Sequence, residues 1–277
     1  MLFFAGMGAA ILFTALWHRQ LYSEDCEGSA HFRIKKIGKL EDKRIEESSG
    51  LCSDGEGNFF TMNDDTDTCL YVLGLKGNKK GRIAISAKNQ DWEEICPAQD
   101  GRIFIGDFGN NLNKRKNLRI LIWDPRMKKI TGRISYRYQD QNSFPPLNPL
   151  QMDFDCEAMV FHSDSLWLFT KNRSGRSTCV YALPAKTGNY VAKKQQEIPL
   201  FGTATSASLR PDGKELALLV YRKIYFFSLP HGLQQIPAPD ICLSAWNIRQ
   251  SEAICYVGND SLLLSNEQGS LFMVTRK

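Results

Sequence analysis

The chain of 277 residues repeats one short pattern five times, which sharply limits the folds open to it. Each copy opens with acidic or small polar residues before an aliphatic residue, and continues with a turn, an apolar run, a second turn and another apolar run. The openings are at 47–51, 91–95, 155–159, 205–209 and 250–254. Their spacing is within or just above the roughly 40 to 50 residues of one four-stranded propeller blade. The repeat therefore predicts a β-propeller.

The apolar runs within each copy have the length and composition of β-strands. They are short, rich in aromatic and β-branched residues, and bounded by Gly, Asn, Asp or Pro. The second and third strands of the copies are predicted at 58–62 with 69–75, 102–106 with 118–123, 165–170 with 179–183, 215–221 with 223–229, and 261–265 with 270–275. A fourth strand follows in the first four copies, for example at 81–86, 132–138 and 241–248, but the last copy has no room for one.

The strand missing from the last copy is available at the other end of the chain. Residues 31–40 form a β-like stretch ahead of the first opening, and pairing it with the final blade would close the ring and cover an open edge. We therefore predict an all-β, five-bladed β-propeller over 31–277, closed by an N-terminal strand. The alternative is six blades, with a further blade in the extra length that contains the loop 143–149.

The first 17 residues carry no charged side chain and are mostly apolar. This composition predicts a signal peptide or membrane anchor, with 1–30 as leader and short linker. The protein is then extracytoplasmic, that is, periplasmic, surface-bound or secreted, and contacts a membrane only through this segment. The net charge of +5 comes from scattered basic pairs rather than a stripe, so no nucleic-acid partner is expected.

The eight cysteines raise the question of a disulfide framework. Cys52, Cys96 and Cys255 occupy the same place in three repeats, directly after the aliphatic residue, while Cys69 and Cys179 each open a later strand. Equivalent positions on different blades suit small buried hydrophobic residues better than a network of disulfide bonds. We therefore expect free thiols in the core.

Polar residues of the repeats are predicted to meet on one face, because the start of each innermost strand shares that face with the loop between the second and third strands. The predicted ligand-binding residues are Glu47, Asn63, Asp64, Asp91, Glu94, Asn110, Asn111, Asp155, Lys171 and Arg222. The predicted metal ligands are Glu93, Asp107, Glu157 and Glu252, and Glu93 and Glu157 are the catalytic pair if the protein is an enzyme.

Carboxylates gathered in one narrow space repel one another unless a cation, a proton or a basic side chain offsets their charge. Calcium suits this set of oxygen ligands, whereas no zinc, haem or nucleotide is expected, since the segments contain none of the four histidines and the chain has no phosphate-binding loop. Internal pairing with Lys171, Arg173 or Arg222 is the structural alternative.

We therefore predict an exported propeller whose acidic central-channel face binds a divalent cation or a small polar ligand. One alternative is a metal- or carboxylate-dependent hydrolase of an ester, lactone, phosphoester or glycoside. Another is a scaffold that binds a protein partner.

The order of several segments resembles a family of largely uncharacterised bacterial β-propellers related in pattern to the domain called esterase-like activity of phytase. The resemblance covers most of 45–275, through 47–51, Asn63–Asp64, 91–95, 106–111 followed by Arg115, 155–159, Thr170–Lys171, 211–213 and 252–254. It implies export and, by association only, esterase or phosphoesterase chemistry. Glu94 and Asn110 each stand where the pattern has Asp, which weakens the metal prediction. Leu219-Val220-Tyr221 replaces Arg-Thr-Tyr, so a basic partner is lost there unless Arg222 replaces it.

Overall fold

The computed structural model describes residues 26–45, 47–64, 67–246, 248 and 250–277. The predicted leader lies outside these ranges except for its last residues, and Asp65 of the second-strand loop in the first repeat also lies outside them. Within the described ranges, the regular structure is β-strand with three short 3-10 helices at Glu27–Ala30, Pro149–Gln151 and Gly232–Gln234. No helix in the described part of the chain is both long enough and apolar enough to cross a membrane.

The strands follow the predicted apolar runs to within a few residues. They are β1 (Phe32–Lys39), β2 (Ser48–Ser53), β3 (Phe59–Asn63), β4 (Cys69–Leu73), β5 (Lys79–Ala84), β6 (Trp92–Pro97), β7 (Ile103–Asp107), β8 (Leu118–Asp124), β9 (Lys129–Tyr138), β10 (Cys156–His162), β11 (Ser165–Thr170), β12 (Ser177–Pro184), β13 (Gly188–Pro199), β14 (Ala204–Leu209), β15 (Glu215–Val220), β16 (Lys223–Ser228), β17 (Ile241–Ser244), β18 (Ser251–Tyr256), β19 (Ser261–Asn266) and β20 (Ser270–Arg276).

The strands pair in groups of four. Three sheets have the orders β2-β3-β4-β5, β14-β15-β16-β17 and β1-β20-β19-β18. As predicted, the N-terminal strand β1 joins the last group by pairing antiparallel with β20. The fourth sheet has eight strands, in which the antiparallel groups β6–β9 and β10–β13 are joined by a parallel pairing of 134–138 with 188–192. This pairing links the two groups that carry Asp91 and Asp155.

The first strand of each group faces a common centre. β2, β6, β10, β14 and β18 contact one another in this order, and β18 contacts β2 again. Five apolar clusters lie between neighbouring groups around this ring, for example Met62 and Leu70 of the first group against Trp92 and Ile105 of the second. Because burial of apolar surface is the main stabilising term, the sheets depend on their neighbours for stability. The architecture is therefore all-β with sheets arranged around an axis.

The cysteines have two roles. Cys52, Cys69, Cys96, Cys156, Cys179 and Cys255 are free and buried, which confirms the prediction of core thiols. Cys26 and Cys242, which occupy no repeated position, form a disulfide that ties the segment before β1 to strand β17. Cys52, Cys96 and Cys255 occupy equivalent places in their groups, while the disulfide joins two different structural positions.

Closure of the ring leaves no room for a side chain at Gly38 of β1. A Cβ there would overlap the backbone of Lys76, in the turn between β4 and β5 of the first group. We expect Gly38→Ala to lower the free energy of unfolding by about 1–3 kcal/mol, because the overlap is with backbone that cannot rotate away. Urea denaturation measures the change.

Gly81→Ala is the matched control for this prediction. Gly81 lies in β5, where a Cβ would meet only Val72 at 3.7 Å. A glycine in a strand interior is disfavoured relative to alanine by roughly 0.5–1 kcal/mol, so the control is expected to be neutral or slightly stabilising. Equal losses in the two variants would contradict a close approach specific to Gly38.

Candidate functional site

A β-bulge lies near the start of every inner strand. The pairing with the second strand shifts register between Ser49 and Leu51, and equivalent shifts occur in the other four groups. The residues skipped by these shifts are Gly50, Glu93, Glu157, Thr205 and Glu252. A bulge redirects the side chain of the extra residue away from regular alternation. Three of the predicted glutamates therefore occupy the same structural position on different groups, and we call this side of the ring the upper face.

Lys171 supplies a positive charge among these glutamates. It follows β11 directly, and its Nζ lies 3.0 Å from Glu157 Oε1 and 5.5 Å from the centre of the Tyr221 ring. The side chains of Lys171 and Glu157 are only 13% and 5% exposed. Burial alone would lower the pKa of Lys171, but the charges of Glu157, Tyr221 and Glu252 raise it above its ordinary value. The ammonium is therefore held charged by its neighbours.

Two pairs of carboxyl groups lie in the same region as this lysine. Glu93 acts on the pKa of Asp91, and Glu157 acts on the pKa of Asp155. Both pairs come from the same Asp-x-Glu spacing, 91–93 and 155–157.

The pKa values of these carboxyl groups show where the protons are held. Burial, followed by the charges of Asp155 and Asp107, raises the pKa of Asp91 to about 6 against the opposing effect of Arg115. Burial and the nearby Asp155 raise the pKa of Glu157 to about 8. Burial, Glu157 and Asp91 raise the pKa of Glu93 well above its usual range. The cluster therefore keeps protons at neutral pH.

Glu252 extends the cluster to the last group. Burial raises its pKa to about 7, while Lys171 and a hydrogen bond with Tyr221 oppose this rise. Tyr221 follows β15 at the position equivalent to Lys171 after β11, and burial together with the charge of Glu252 raises its pKa. We call Asp91, Glu93, Asp155, Glu157, Glu252, Lys171 and Tyr221 the upper cluster.

Asp107, a predicted metal ligand, has a different environment. It is fully buried, and its two oxygens accept from Arg115 Nη2 at 2.9 Å and from Arg119 Nε at 2.7 Å. Arg115 Nη1 also lies 4.0 Å from Asp91 Oδ2. Two guanidinium groups thus offset the charge of one carboxylate. This is internal ion pairing, the structural alternative to a metal site.

The arrangement does not fit a divalent cation as it stands. Among the residues that the structure describes, no group of three or more His, Cys, Asp and Glu side chains is placed to hold a metal ion. Lys171 Nζ already donates to one oxygen of Glu157, and Arg115 and Arg119 donate to the two oxygens of Asp107. A calcium ion would have to displace these cations, so calcium binding stays a prediction.

The asparagines of the β7–β8 loop hold Asp155 of the upper cluster in place. The backbone N–H of Asn110 donates to Asp155 Oδ1 at 2.7 Å, and its side chain donates to Phe154 O. Asn111 accepts from Arg173 Nη2 at 2.6 Å, and the same nitrogen donates to Asp155 Oδ2 at 3.2 Å. These contacts fix Asp155 from both sides.

Glu94 lies in the central channel instead of at its mouth. Its Oε2 accepts from Ser206 Oγ at 2.5 Å and from Ala207 N at 3.2 Å, and its Oε1 accepts from Ile95 N at 3.0 Å. Burial raises the pKa of Glu94 well above its usual range, although these hydrogen bonds oppose the rise. The side chain crosses from β6 to β14 and links two inner strands that are not neighbours in the ring.

The remaining predicted ligand-binding residues are dispersed. Glu47 is exposed at the start of β2, and Asn63 donates to the backbone oxygen of Arg44 at 2.8 Å. Asp64 is half-buried, and its backbone oxygen accepts from Trp92 N at 2.7 Å. The Arg222 guanidinium stacks over the Trp246 ring at 4.7 Å. The described contacts of these four do not place them in the upper cluster.

Three residues of this region were not among the predicted site residues. Tyr221 could have been found, because it follows its second strand as Lys171 does. Arg115 was noted only as part of the family pattern after 106–111, and its pairing with Asp107 was not predicted. Trp246, with 52% of its surface exposed, is distant from Arg222 in the sequence, and only the fold brings the two side chains together.

No protein-family model matches the chain, and no curated protein matches it in sequence. Solved structures do match. A structural genomics protein of unknown function from Bacteroides thetaiotaomicron has a TM-score of 0.51 at 10% identity, over 89% of this chain and 76% of that one. The PQQ-bound aldose sugar dehydrogenase from Streptomyces coelicolor has a TM-score of 0.51 at 8% identity, over 89% and 98%. The Dos1 propeller has a TM-score of 0.43 at 13% identity, over 79% and 52%.

At these identities the likeness shows the fold alone. The resemblance to the esterase-like domain is therefore supported as far as the fold and no further. The chain is an all-β protein of the β-propeller type.

Proposed function

We propose that this protein is an exported five-bladed β-propeller that binds a small polar ligand at the upper cluster. The five groups of four strands, the ring of their first strands and the five apolar clusters between them support the number of blades. The disulfide between Cys26 and Cys242 supports export, since such bonds persist mainly in oxidising compartments.

The observation that carries the proposal is the surplus of buried carboxyl groups around Lys171. The upper cluster has five carboxyl groups and one lysine, which contacts Glu157. Of the other four carboxyl groups, Asp91 lies 4.0 Å from Arg115, which also binds Asp107, and Asp155 is paired with Arg173. A purely structural network would be balanced, as Asp107 is by its two arginines. Titratable groups with strongly shifted pKa values are enriched at functional sites. A ligand with a cationic or hydrogen-bond-donating group would displace the protons held by these carboxyl groups and offset the negative charge that the groups then carry.

Thermal denaturation with a small panel of compounds tests this proposal. We expect at least one of putrescine, choline, glucose, myo-inositol and calcium chloride to raise the Tm in a saturable way. Glu157→Gln should abolish the rise, whereas Glu56→Gln, which changes an exposed glutamate of the β2–β3 hairpin, should keep it. A rise that survives Glu157→Gln would contradict the site, and a rise with calcium alone would favour the divalent cation.

A hydrolase is the second candidate, because two groups of the cluster titrate near neutral pH. An acid–base catalyst works best when its pKa lies near the working pH, and Glu157 at about 8 and Glu252 at about 7 meet this condition. Turnover of 4-nitrophenyl acetate, phosphate and glucoside and of a lactone separates an enzyme from a binding protein. If Glu93 and Glu157 are the catalytic pair, activity should be lost in both Glu93→Gln and Glu157→Gln.

The scaffold alternative has support from two exposed leucines. Leu147 and Leu150, in the segment between β9 and β10, are 95% and 67% exposed. A protein partner at this segment would bury them, and replacing both by serine would then weaken partner binding without changing the response to the compounds above.

A further inference from the structure

The second end of the central channel contains a cavity that the upper cluster does not use. It has a volume of about 390 Å³ and is lined by the ends of all five inner strands and the hairpins that follow them. We call this end the lower face. Glu94 crosses the channel between the two ends, so the cavity is separated from the upper cluster by a buried hydrogen-bonded side chain.

Apolar residues form part of the wall of this cavity. Leu51, Ile95 and Val160 come from three inner strands, and all are at most 3% exposed. The free thiols of Cys52, Cys96 and Cys255 line the same space. Burial raises the pKa of these thiols and Glu94 adds to the effect, so they remain neutral and act as small apolar groups.

The charges at the lip of the cavity are already paired. Arg210 donates to the two oxygens of Asp212 at 2.8 and 2.9 Å and lies 3.8 Å from Glu215. An ionised ligand would therefore find no uncompensated opposite charge in this pair. Uncharged polar groups also line the wall, among them Ser53, Gln99 and Ser208. Ser208 Oγ accepts from Tyr256 N at 3.0 Å, while its own hydroxyl hydrogen can turn towards the cavity.

We infer that the lower cavity is a binding site for an uncharged small molecule that combines an apolar body with hydrogen-bonding groups. Its volume lies in the lower part of the range of about 300–1,000 Å³ that is usual for such sites, and apolar walls with a few polar groups are their usual lining. The ligand would pack against Leu51, Ile95 and Val160 and accept from Ser208. This site is independent of the function proposed for the upper face.

Fluorescence titration with N-phenyl-1-naphthylamine, an uncharged aromatic probe that brightens in apolar surroundings, tests the inference on the folded protein. We expect saturable binding of one probe per chain. Ser208→Phe and Val160→Phe each fill the cavity and should weaken binding at least tenfold. Ser228→Phe adds the same ring at an exposed position of β16 and should have no effect. Glu157→Gln should leave probe binding unchanged, which separates this site from the upper cluster.

A second measurement applies if either filling variant fails to fold. Methyl methanethiosulfonate should label Cys52, Cys96 and Cys255 several-fold more slowly when the probe is bound, whereas labelling of Cys69 and Cys179, which lie between outer strands, should not change. Binding that does not saturate, that persists in a folded Ser208→Phe variant, or that leaves the three thiols equally reactive would overturn the inference.

Discussion

Lys171→Met is expected to lower the free energy of unfolding by about 3–5 kcal/mol at pH 8, the usual loss when one partner of a buried ion pair is removed. Methionine keeps most of the volume of lysine, so the loss reports the missing ammonium rather than a cavity. Glu157 and Glu252 lose the cation that offsets their charges. Urea denaturation at several pH values measures the effect.

The pH dependence of this loss follows from the raised pKa values. A carboxyl group whose pKa is higher in the folded than in the unfolded protein contributes stability that is fully present below its unfolded pKa and is lost as the pH rises through the folded value. For Asp91, Glu252 and Glu157 that interval runs from about pH 4 to their folded values of about 6, 7 and 8. The loss in Lys171→Met should therefore be small at pH 5 and large at pH 8.

Lys193→Met is the matched control, because Lys193 is exposed on β13. It should change stability by no more than about 0.5 kcal/mol at either pH. A Lys171→Met loss that is the same at pH 5 and pH 8, or that equals the loss in the control, would show that the ammonium does not hold the buried carboxylates.

Removal of the Cys26–Cys242 disulfide is expected to lower the free energy of unfolding by about 2–5 kcal/mol. The bond joins residues 216 positions apart, so it restricts the unfolded chain strongly. It also holds the segment before β1, and β1 completes the last group of strands. The double variant Cys26→Ser/Cys242→Ser, which leaves no unpaired thiol behind, should show this loss in urea denaturation.

Reductant provides the control for this second prediction. Dithiothreitol should lower the stability of the unmodified protein to that of the double variant and leave the variant unchanged. Cys179→Ala, which removes a buried free thiol, should keep the full response to reductant. If the unmodified protein does not respond, the disulfide does not contribute to closure of the ring. The stacking of Phe32 on Phe226 at 4.4 Å and the bond from Lys277 N to His31 O would then be sufficient.

The strands could be predicted because their signals are local. Predicted runs such as 165–170 and 118–123 correspond to β11 and β8 within a residue, since short apolar runs between turn residues suit a strand in any blade. The pairing of β1 with β20 could be predicted because the last repeat lacked a strand. The parallel pairing of β9 with β13 had no sequence signal, because it depends on two long outer strands meeting across a gap between sheets.

The candidate site could be predicted in part. The repeat placed Glu93, Glu157 and Glu252 in equivalent positions, and the structure shows that each is the extra residue of a bulge. Glu94 follows Glu93 directly, yet its side chain enters the channel and bonds to Ser206, 112 residues away. Neighbours in sequence thus belong to different environments, because the bulge changes which way each side chain points.

The sequence by itself determined the class of fold, the order of the strands and the positions that repeat, because these depend on turn residues and apolar periodicity within a few residues. Only the tertiary structure decided which carboxyl groups are buried together, that Lys171 contacts Glu157 among them, and that Glu94 separates the acidic mouth from the lower cavity. These properties depend on distance and burial between side chains that are remote along the chain, and both quantities are set when the sheets pack around one axis.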